Sequence, residues 1–237
     1  MTAADLAGAE RPVALVTGAT GGMGVEIVRD LSRTHRVIAT GRRASALEEL
    51  ATETGCDTLV AEVTDEEAFA AAIAGLSRLD VLVHTAAIGD HLSVGDATRA
   101  DWDAQLTTNV VGPALITRVA LPLIREAEGT IIFIGSGAGT KAVPGSAIYS
   151  ASKHALRAVA DVLRIDEEPH RVRVVTLAPG QTDTPMLRNH SKPGSYTPER
   201  YIKPSTVAAT VRFVIDAPAD TQITDIAVRP RQEIARI

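Results

Sequence analysis

Seven short runs rich in valine, isoleucine and leucine alternate along the 237-residue chain with segments of helical periodicity. Apolar residues follow one another within these runs without polar alternation, which is typical of strands covered on both faces. The β-helix-β order predicts an α/β fold: a doubly wound, seven-stranded parallel sheet in a single domain over residues 1–237. The runs are PVALVTG, HRVIATG, CDTLVAEV, RLDVLVHTA, GTIIFIGS, RVRVVTLAPG and TDIAVRP.

Composition narrows the classes of partner. The chain has 24 basic and 29 acidic residues and a net charge of -5, so it offers no extended basic surface for nucleic acid. No stretch approaches the roughly 18 unbroken apolar residues of a membrane span, and the start, MTAADLAGAERP, lacks the basic flank and apolar core of a secretory signal. The single cysteine, Cys56, excludes an internal disulfide and a zinc-thiolate cluster, and no metal is expected. We therefore expect a cytoplasmic protein without a nucleic-acid or membrane partner.

A glycine-rich turn, TGATGGMG, follows the first predicted strand. Sheets of this Rossmann type bind ligands at the carboxyl ends of their strands, and glycines there let the backbone approach a pyrophosphate that rests on a helix N-terminus. The alternative is a tight strand-to-helix connection without a ligand. The candidate cofactor-binding residues of this turn are Gly18, Thr20, Gly22, Met23 and Gly24.

The end of the second strand predicts which dinucleotide binds. A sheet that selects NAD places an acid about 20 residues beyond the glycines, whereas this chain has none between Asp30 and Glu48. Arg42 and Arg43 instead offer guanidinium groups for a 2′-phosphate, and Thr40 adds a hydroxyl. NADP is therefore the expected cofactor and NAD the alternative. The arginines would otherwise only solvate a helix start.

The stretch YSASK places Tyr149 and Lys153 on one face of a predicted helix. A tyrosine pKa of about 10 is too high for acid-base catalysis at neutral pH unless a nearby positive charge stabilises the phenolate. Lys153 supplies such a charge. On an ordinary helix the tyrosine would pack and the lysine would extend to solvent. Ser136, thirteen residues before Tyr149 at the end of a buried strand, favours the catalytic interpretation.

Together, these motifs resemble the short-chain dehydrogenase/reductase family from Thr17 to about Pro230. The resemblance implies an oxidoreductase that transfers hydride between a nicotinamide cofactor and a carbonyl or secondary alcohol. It implies that Ser136 orients the carbonyl, that Tyr149 exchanges its proton, and that Lys153 lowers the tyrosine pKa and holds the nicotinamide ribose. The motifs are T-G-x-x-x-G-x-G, N-x-x-G at Asn109, Ser136 with Tyr149 and Lys153, and P-G-x-x-x-T at Pro179.

Further roles follow from the resemblance. Asn109 would hold a water that links the lysine to solvent, although an asparagine beside Gly112 and Pro113 also suits freed backbone groups of a bent helix. Thr184 would contact the nicotinamide carboxamide. The backbone of Thr182 is the other expected nicotinamide contact. The remaining candidates near this end of the cofactor are Ala86, Pro179 and Gly180, with Tyr149 and Lys153 again.

The chain departs from the family pattern at two places. Glu62 and Val63 stand where the family has Asp and an aliphatic residue against adenine, and the acids of this segment are alternatively a helix cap. HTAA, residues 84–87, replaces N-N-A-G; we interpret His84 as a structural residue, and Ala87 narrows the space by the ribose.

The resemblance leaves the substrate open beyond a small carbonyl or alcohol, which a lid over about residues 186–203 would cover. It implies a homodimer or homotetramer with the Asn109 and Tyr149 helices at an interface. Two other interpretations remain: an NAD-dependent alcohol dehydrogenase, and a non-catalytic NADP-sensing or scaffold protein with the same fold.

Overall fold

A parallel sheet of seven strands organises the computed structural model, which describes residues 11–190 and 196–232. The strand order is β3-β2-β1-β4-β5-β6-β7, and every neighbouring pair is parallel. The predicted fold class is confirmed, and each predicted apolar run contains a strand. The strands are β1 Val13–Thr17, β2 Arg36–Gly41, β3 Asp57–Val60, β4 Val81–His84, β5 Thr130–Ile134, β6 Arg173–Pro179 and β7 Asp225–Val228.

Helices cover both faces of this sheet. On one face, Ile27, Val207 and Val211 are buried in a core cluster, and on the other Ile116 and Leu156 are buried in a second cluster. All residues of β1 and β5 are buried between these layers, whereas the edge strands β3 and β7 are largely exposed. The helices are α1 Gly22–Leu31, α2 Ala44–Thr54, α3 Glu66–Ile73, α4 Arg99–Leu106, α5 Gly112–Glu126, α6 Ala147–Asp166, α7 Pro185–His190 and α8 Pro204–Ile215.

A turn of π-helix, Thr107–Val111, joins α4 to α5 and contains Asn109. The predicted disturbance before Gly112 is thus a bulge in a continuous helical run, a feature that often marks functional sites. By length and composition alone the run Arg99–Glu126 would be able to cross a membrane. Ile116, Ala120 and Ile124, spaced four apart on α5, lie in the protein core.

Two sequence predictions fall partly outside this description. The chain start, residues 1–10, and residues 191–195 of the predicted lid lie outside the described residues.

Cys56 is a buried free cysteine. Among the described residues, no group of three or more His, Cys, Asp or Glu side chains is arranged to hold a metal ion.

Candidate active site

The glycine-rich turn requires glycine at two positions. Gly18 has a φ of 63°, and a Cβ there would lie 2.7 Å from the Ala86 Cα. A Cβ at Gly24 would lie 2.3 Å from the Gly18 carbonyl oxygen. Gly21, at the N-cap of α1, provides no side-chain cap, so amides of the first turn are left for another acceptor. Such a turn fits a pyrophosphate, and it places Gly18 beside Ala86, another predicted cofactor-binding residue.

The end of β6 packs on the same turn. A Cβ at Gly22 would lie 2.9 Å from Thr184 Cγ2, so the two predicted cofactor segments are in contact. The Thr182 hydroxyl is buried and donates to the Gly180 carbonyl oxygen at 3.0 Å, while the Thr184 hydroxyl accepts the Leu187 N–H at 3.3 Å. Pro179 is the last residue of β6. The predicted nicotinamide contacts therefore lie together at the carboxyl edge of the sheet.

The two arginines after β2 lie at the adenine side of this edge. Arg43 donates to the Thr20 carbonyl oxygen of the glycine turn at 2.5 Å. Arg42 is exposed, and its Nη1 lies 3.8 Å from Glu62 Oε1. Thr40, in contrast, is 1% exposed within β2. The space where a 2′-phosphate is expected is thus bordered by four residues, Arg42, Arg43, Thr20 and Glu62.

Val63 occupies a position that Gly112 makes possible. A Cβ at Gly112 would lie 2.7 Å from Val63 Cγ2. The glycine of the N-x-x-G motif is therefore needed for close packing of the helix against the segment after β3. The alternative role of the neighbouring acids as a helix cap is present too, because the Asp65 carboxylate accepts the Ala68 N–H at 3.0 Å. Met23 of α1 packs, partly buried, against the core.

Tyr149 and Lys153 lie one turn apart on α6, as predicted. Lys153 is 3% exposed, and its Nζ donates to the Ile134 carbonyl oxygen at 3.0 Å and lies 5.8 Å from the Tyr149 ring centroid. Ser136 follows β5 and its hydroxyl accepts the Ala138 N–H at 3.2 Å. A Cβ at Gly139 would lie 2.8 Å from the Lys153 carbonyl oxygen, so this glycine lets the turn after Ser136 reach α6.

Burial shifts both titrating groups towards their neutral forms. It raises the pKa of Tyr149 above its ordinary value of 10.0, and a hydrogen bond with Ser136 lowers that pKa in part. Burial lowers the pKa of Lys153 from 10.5 to about 8. Because this value is still above neutral pH, the ammonium form remains in excess there. The net direction for Tyr149 is opposite to the one predicted from the lysine alone, because desolvation of the phenolate is the larger effect here.

Asn109 holds the segment after β4. Its Oδ1 accepts the Ile88 N–H at 2.9 Å, and its Nδ2 donates to the Ile88 carbonyl oxygen at 2.8 Å and to Ser152 Oγ at 3.0 Å. Ser152 in turn donates to the Tyr149 carbonyl oxygen at 2.9 Å. Asn109 is fully buried. Its hydrogen bonds to Ile88 and Ser152 connect the segment after β4 to the helix that carries Tyr149. The predicted water-holding role stays a prediction.

His84 is a buried residue of the core, in agreement with its structural interpretation. Its Nε2 lies 2.9 Å from Thr117 Oγ1, its ring stacks on Phe133 at 4.9 Å, and its Nδ1 has no hydrogen-bond partner. Burial lowers the pKa of His84 from 6.5 to about 3. The imidazole is therefore neutral in the folded protein over the physiological range.

This burial predicts a stability effect of His84→Asn. Below pH 6.5 the unfolded chain protonates His84 while the folded chain does not. The free energy of unfolding therefore decreases as the pH is lowered, by up to about 1.4 kcal/mol per pH unit, until the pH reaches the folded pKa. Urea unfolding between pH 7.5 and pH 5 will show a shallower fall for His84→Asn than for wild type. The exposed His154 provides the control His154→Asn. Parallel curves for wild type and His84→Asn would contradict the prediction.

The predicted lid is fastened to the nicotinamide turn. Arg188 Nη2 lies 2.6 Å from Asp183 Oδ1, the Tyr196 hydroxyl also donates to Asp183, and Tyr196 stacks on Tyr201 at 5.0 Å. Tyr196 therefore holds the described part of the lid that follows residue 195 against the turn at Asp183. Met186 lies against Gly89, which also borders the Tyr149 ring, since a Cβ at Gly89 would be 3.0 Å from Met186 Sδ.

Sequence reasoning missed the residues of the segment after β4 that border Tyr149. A Cβ at Gly89 would lie 3.4 Å from Tyr149 Cε2, and the rings of His91 and Tyr149 are 6.2 Å apart. His91 Nδ1 is hydrogen-bonded to the hydroxyl of Ser146, 55 positions away in the chain. No local pattern marks these contacts, because they depend on how α6 packs beside the end of β4.

Comparison with known proteins supports one family. The family model described as short chain dehydrogenase matches residues 12–194. The NADP-dependent 3-hydroxy acid dehydrogenase YdfG of Shigella flexneri is 33% identical over 236 residues, covering 92% of this chain and 94% of its own length.

Two solved structures are also similar. The closed form of a serine dehydrogenase complexed with NADP+ has a TM-score of 0.83 and 31% identity, with 91% of this chain and 94% of that chain covered. An alcohol dehydrogenase from the archaeon Thermococcus sibiricus, complexed with 5-hydroxy-NADP, has a TM-score of 0.84 and 25% identity, with 96% of this chain and 100% of that chain covered.

Proposed function

Because the chain belongs to the short-chain dehydrogenase/reductase family, whose enzymes act on alcohol and carbonyl groups with nicotinamide cofactors, we propose that it is an NADP(H)-dependent carbonyl reductase or secondary-alcohol dehydrogenase. The observation that carries this is the meeting of Ser136, Tyr149 and Lys153 at one edge of the sheet, beside the glycine turn. The NADP-dependent relatives support the choice of cofactor.

The residues divide the chemistry between them. When bound, the cofactor supplies or accepts the hydride at the carbonyl carbon. Tyr149 exchanges a proton with the carbonyl oxygen, and Ser136 hydrogen-bonds that oxygen and orients it. Lys153, held by the Ile134 carbonyl oxygen, keeps a positive charge near the phenol ring and binds the nicotinamide ribose. Asn109 holds a water that links Lys153 to solvent, and through Ser152 it fixes the helix that carries Tyr149.

The adenine end selects the cofactor in this proposal. Arg42 and Arg43 bind the 2′-phosphate, and the contact of Arg43 with the Thr20 carbonyl oxygen places its guanidinium against the glycine turn. Glu62 lies 3.8 Å from the Arg42 guanidinium, and Val63, the next residue, borders the adenine. Thr182 and Thr184 contact the nicotinamide from the turn between β6 and α7.

Assembly and location belong to the same proposal. We expect a cytoplasmic homodimer or homotetramer, with the helices of Asn109 and Tyr149 at an interface. Exposed apolar side chains on these helical runs support it: Val111 is 44% exposed, Val162 58% and Ile165 70%. The mass of the protein in solution tests the assembly.

An NADPH-oxidation screen tests the activity. The panel contains aldehydes, ketones, quinones and β-keto esters, and the names of the two hydroxy-acid relatives add 3-oxo acids. We expect absorbance at 340 nm to fall with at least one class, faster with NADPH than with NADH. Tight NADPH binding without turnover of any class would favour a sensing or scaffold protein instead.

A further inference from the structure

The residue after β7 reaches the turn that carries Ser136. Arg229 follows Val228, the last residue of β7, and a Cβ at Gly137 would lie 2.5 Å from Arg229 Nη1. The guanidinium therefore occupies the space that a side chain at position 137 would fill. Because β6 lies between β5 and β7, the Arg229 side chain crosses the carboxyl end of β6, where the predicted cofactor segments meet.

The backbone on both sides of Arg229 is fixed by the turn after β6. The Gly180 N–H donates to the Val228 carbonyl oxygen at 2.7 Å, and a Cβ at Gly180 would lie 3.0 Å from Pro230 Cδ. Gly180 belongs to the P-G-x-x-x-T motif, whose later residues are the expected nicotinamide contacts. The side chain of Arg229 thus starts beside the expected nicotinamide site and ends at the residue next to Ser136.

The guanidinium lies close to the expected position of the reacting carbonyl. Because consecutive Cα atoms are about 3.8 Å apart, Arg229 Nη1 lies within about 8 Å of the Ser136 Cα. Ser136 is assigned to the carbonyl oxygen, and its hydroxyl is hydrogen-bonded to Tyr149. A substrate whose carbonyl oxygen lies at these two hydroxyls therefore carries its neighbouring atoms towards Arg229.

A guanidinium at this position favours an anion. Such a group is charged throughout the physiological pH range, and its paired N–H donors match two oxygen atoms of a carboxylate or a phosphate. Arg229 is exposed, so a ligand is able to approach it from solvent. Arg229 has a further interaction in the structure, but a guanidinium carries five N–H donors, and binding of a substrate anion does not require the loss of that interaction.

We propose that Arg229 binds an anionic group of the substrate, and that the protein acts on carbonyl compounds that carry a carboxylate or a phosphate a few bonds from the carbonyl carbon. The proposal rests on the function proposed above. In the reductive direction, hydride from NADPH adds to the carbonyl carbon and Tyr149 gives its proton to the oxygen, so the hydroxy compound and NADP+ form. Arg229 donates hydrogen bonds to the anion and takes part in no bond change.

Oxo acids and their methyl esters separate recognition of the anion from catalysis. Pyruvate, acetoacetate and levulinate place the carboxylate at increasing distances from the ketone, and each methyl ester keeps the ketone without the charge. Dihydroxyacetone phosphate and dihydroxyacetone form the corresponding pair for a phosphate. We expect wild type to reduce at least one of these anions. For that anion, Arg229→Ala should lower kcat/KM about tenfold, mainly through KM, and it should change kcat/KM for the neutral partner less than about twofold.

Two further variants distinguish anion binding from a structural role and from a general effect of charge. Lys141→Ala removes a positive charge from the same turn, since the Lys141 N–H donates to the Gly137 carbonyl oxygen at 3.1 Å. This control should leave the ratio of kcat/KM for the anion and its neutral partner unchanged. Arg229→Lys keeps the charge but not the paired donors, so it should recover part of the ratio. Equal losses for both substrates in Arg229→Ala, or the same change of the ratio in Lys141→Ala, would overturn the assignment.

A substitution at Gly137 tests the geometry. The new Cβ of Gly137→Ala needs the space of Arg229 Nη1, so this variant should also lower the ratio of kcat/KM for the anion and its neutral partner. In the Arg229→Ala background the same substitution should change the ratio much less, because no guanidinium is left to displace. Additive effects of the two substitutions on the ratio would contradict the placement of Arg229.

The substrate pairs keep this proposal apart from the broader one. If wild type reduces neutral ketones but none of the anions, the proposal for Arg229 fails while the carbonyl-reductase function stands. If no carbonyl compound is reduced with either cofactor, the proposed function itself fails, and the proposal for Arg229 fails with it.

Discussion

Tyr149→Phe is expected to lower kcat about a thousandfold, within the range by which general acid-base catalysis accelerates reactions. The substitution removes the hydroxyl that we propose as the proton donor and acceptor, and it keeps the ring that packs beside His91. Single-turnover reduction of the best substrate from the screen, followed at 340 nm, measures the loss. NADPH binding, followed by fluorescence titration, should change less than about threefold, because the catalytic hydroxyl acts mainly on the substrate.

The same experiment bears on the acid-base assignment. Burial raises the pKa of Tyr149, so we expect the wild-type rate of alcohol oxidation to keep rising with pH above neutrality as more phenolate forms. The phenylalanine variant lacks this titration. Residual kcat above about a tenth of wild type, with binding intact, would remove Tyr149 from the catalytic role.

Arg42→Ala is expected to weaken NADPH binding about 10- to 100-fold and to leave NADH binding within about twofold. The Arg42 side chain is 68% exposed, so its guanidinium is accessible to the 2′-phosphate that only NADPH carries. Dissociation constants for both cofactors measure the difference. Because Arg42 and the 2′-phosphate would meet at the surface, the loss of NADPH affinity in Arg42→Ala should be smaller at high ionic strength.

Arg33→Ala is the matched control for that experiment. Arg33 is an exposed arginine after α1, with a side chain 78% exposed and an ion pair to Asp30 at 3.9 Å. Its removal changes the net charge by the same amount as Arg42→Ala. If Arg33→Ala weakens NADPH binding as much as Arg42→Ala does, the effect of Arg42 is one of long-range charge. If Arg42→Ala weakens the binding of NADPH and of NADH equally, the result favours NAD as the cofactor.

The sheet was readable from the sequence because its strands are continuous apolar runs. β1 and β5 are buried throughout, and such strands leave a signal that needs no tertiary information. β3 and β7 are mostly exposed edge strands, which the runs CDTLVAEV and TDIAVRP predict as strands without showing that they lie at the edges. The strand order β3-β2-β1-β4-β5-β6-β7 appears only in the structure.

The site was readable in part for a similar reason. Tyr149 and Lys153 lie one turn apart, so local geometry alone places them on one helix face. The direction of the Tyr149 pKa was not readable, since it depends on how much water the fold removes around the phenol. The contact of Gly112 with Val63 was likewise hidden, because the two residues approach only after α5 packs against the segment that follows β3.

The sequence by itself determined a doubly wound sheet, a glycine turn after β1 and a tyrosine-lysine pair on α6, because apolar periodicity and helical spacing act over a few neighbouring residues. Tertiary structure decided what surrounds that pair. Asn109 is hydrogen-bonded to the backbone of Ile88, which lies 21 positions away in the chain. Ser146 is hydrogen-bonded to His91, 55 positions away, and orients that ring beside Tyr149. Such contacts form only when helices pack against the sheet, since burial and geometry select partners that no local pattern contains.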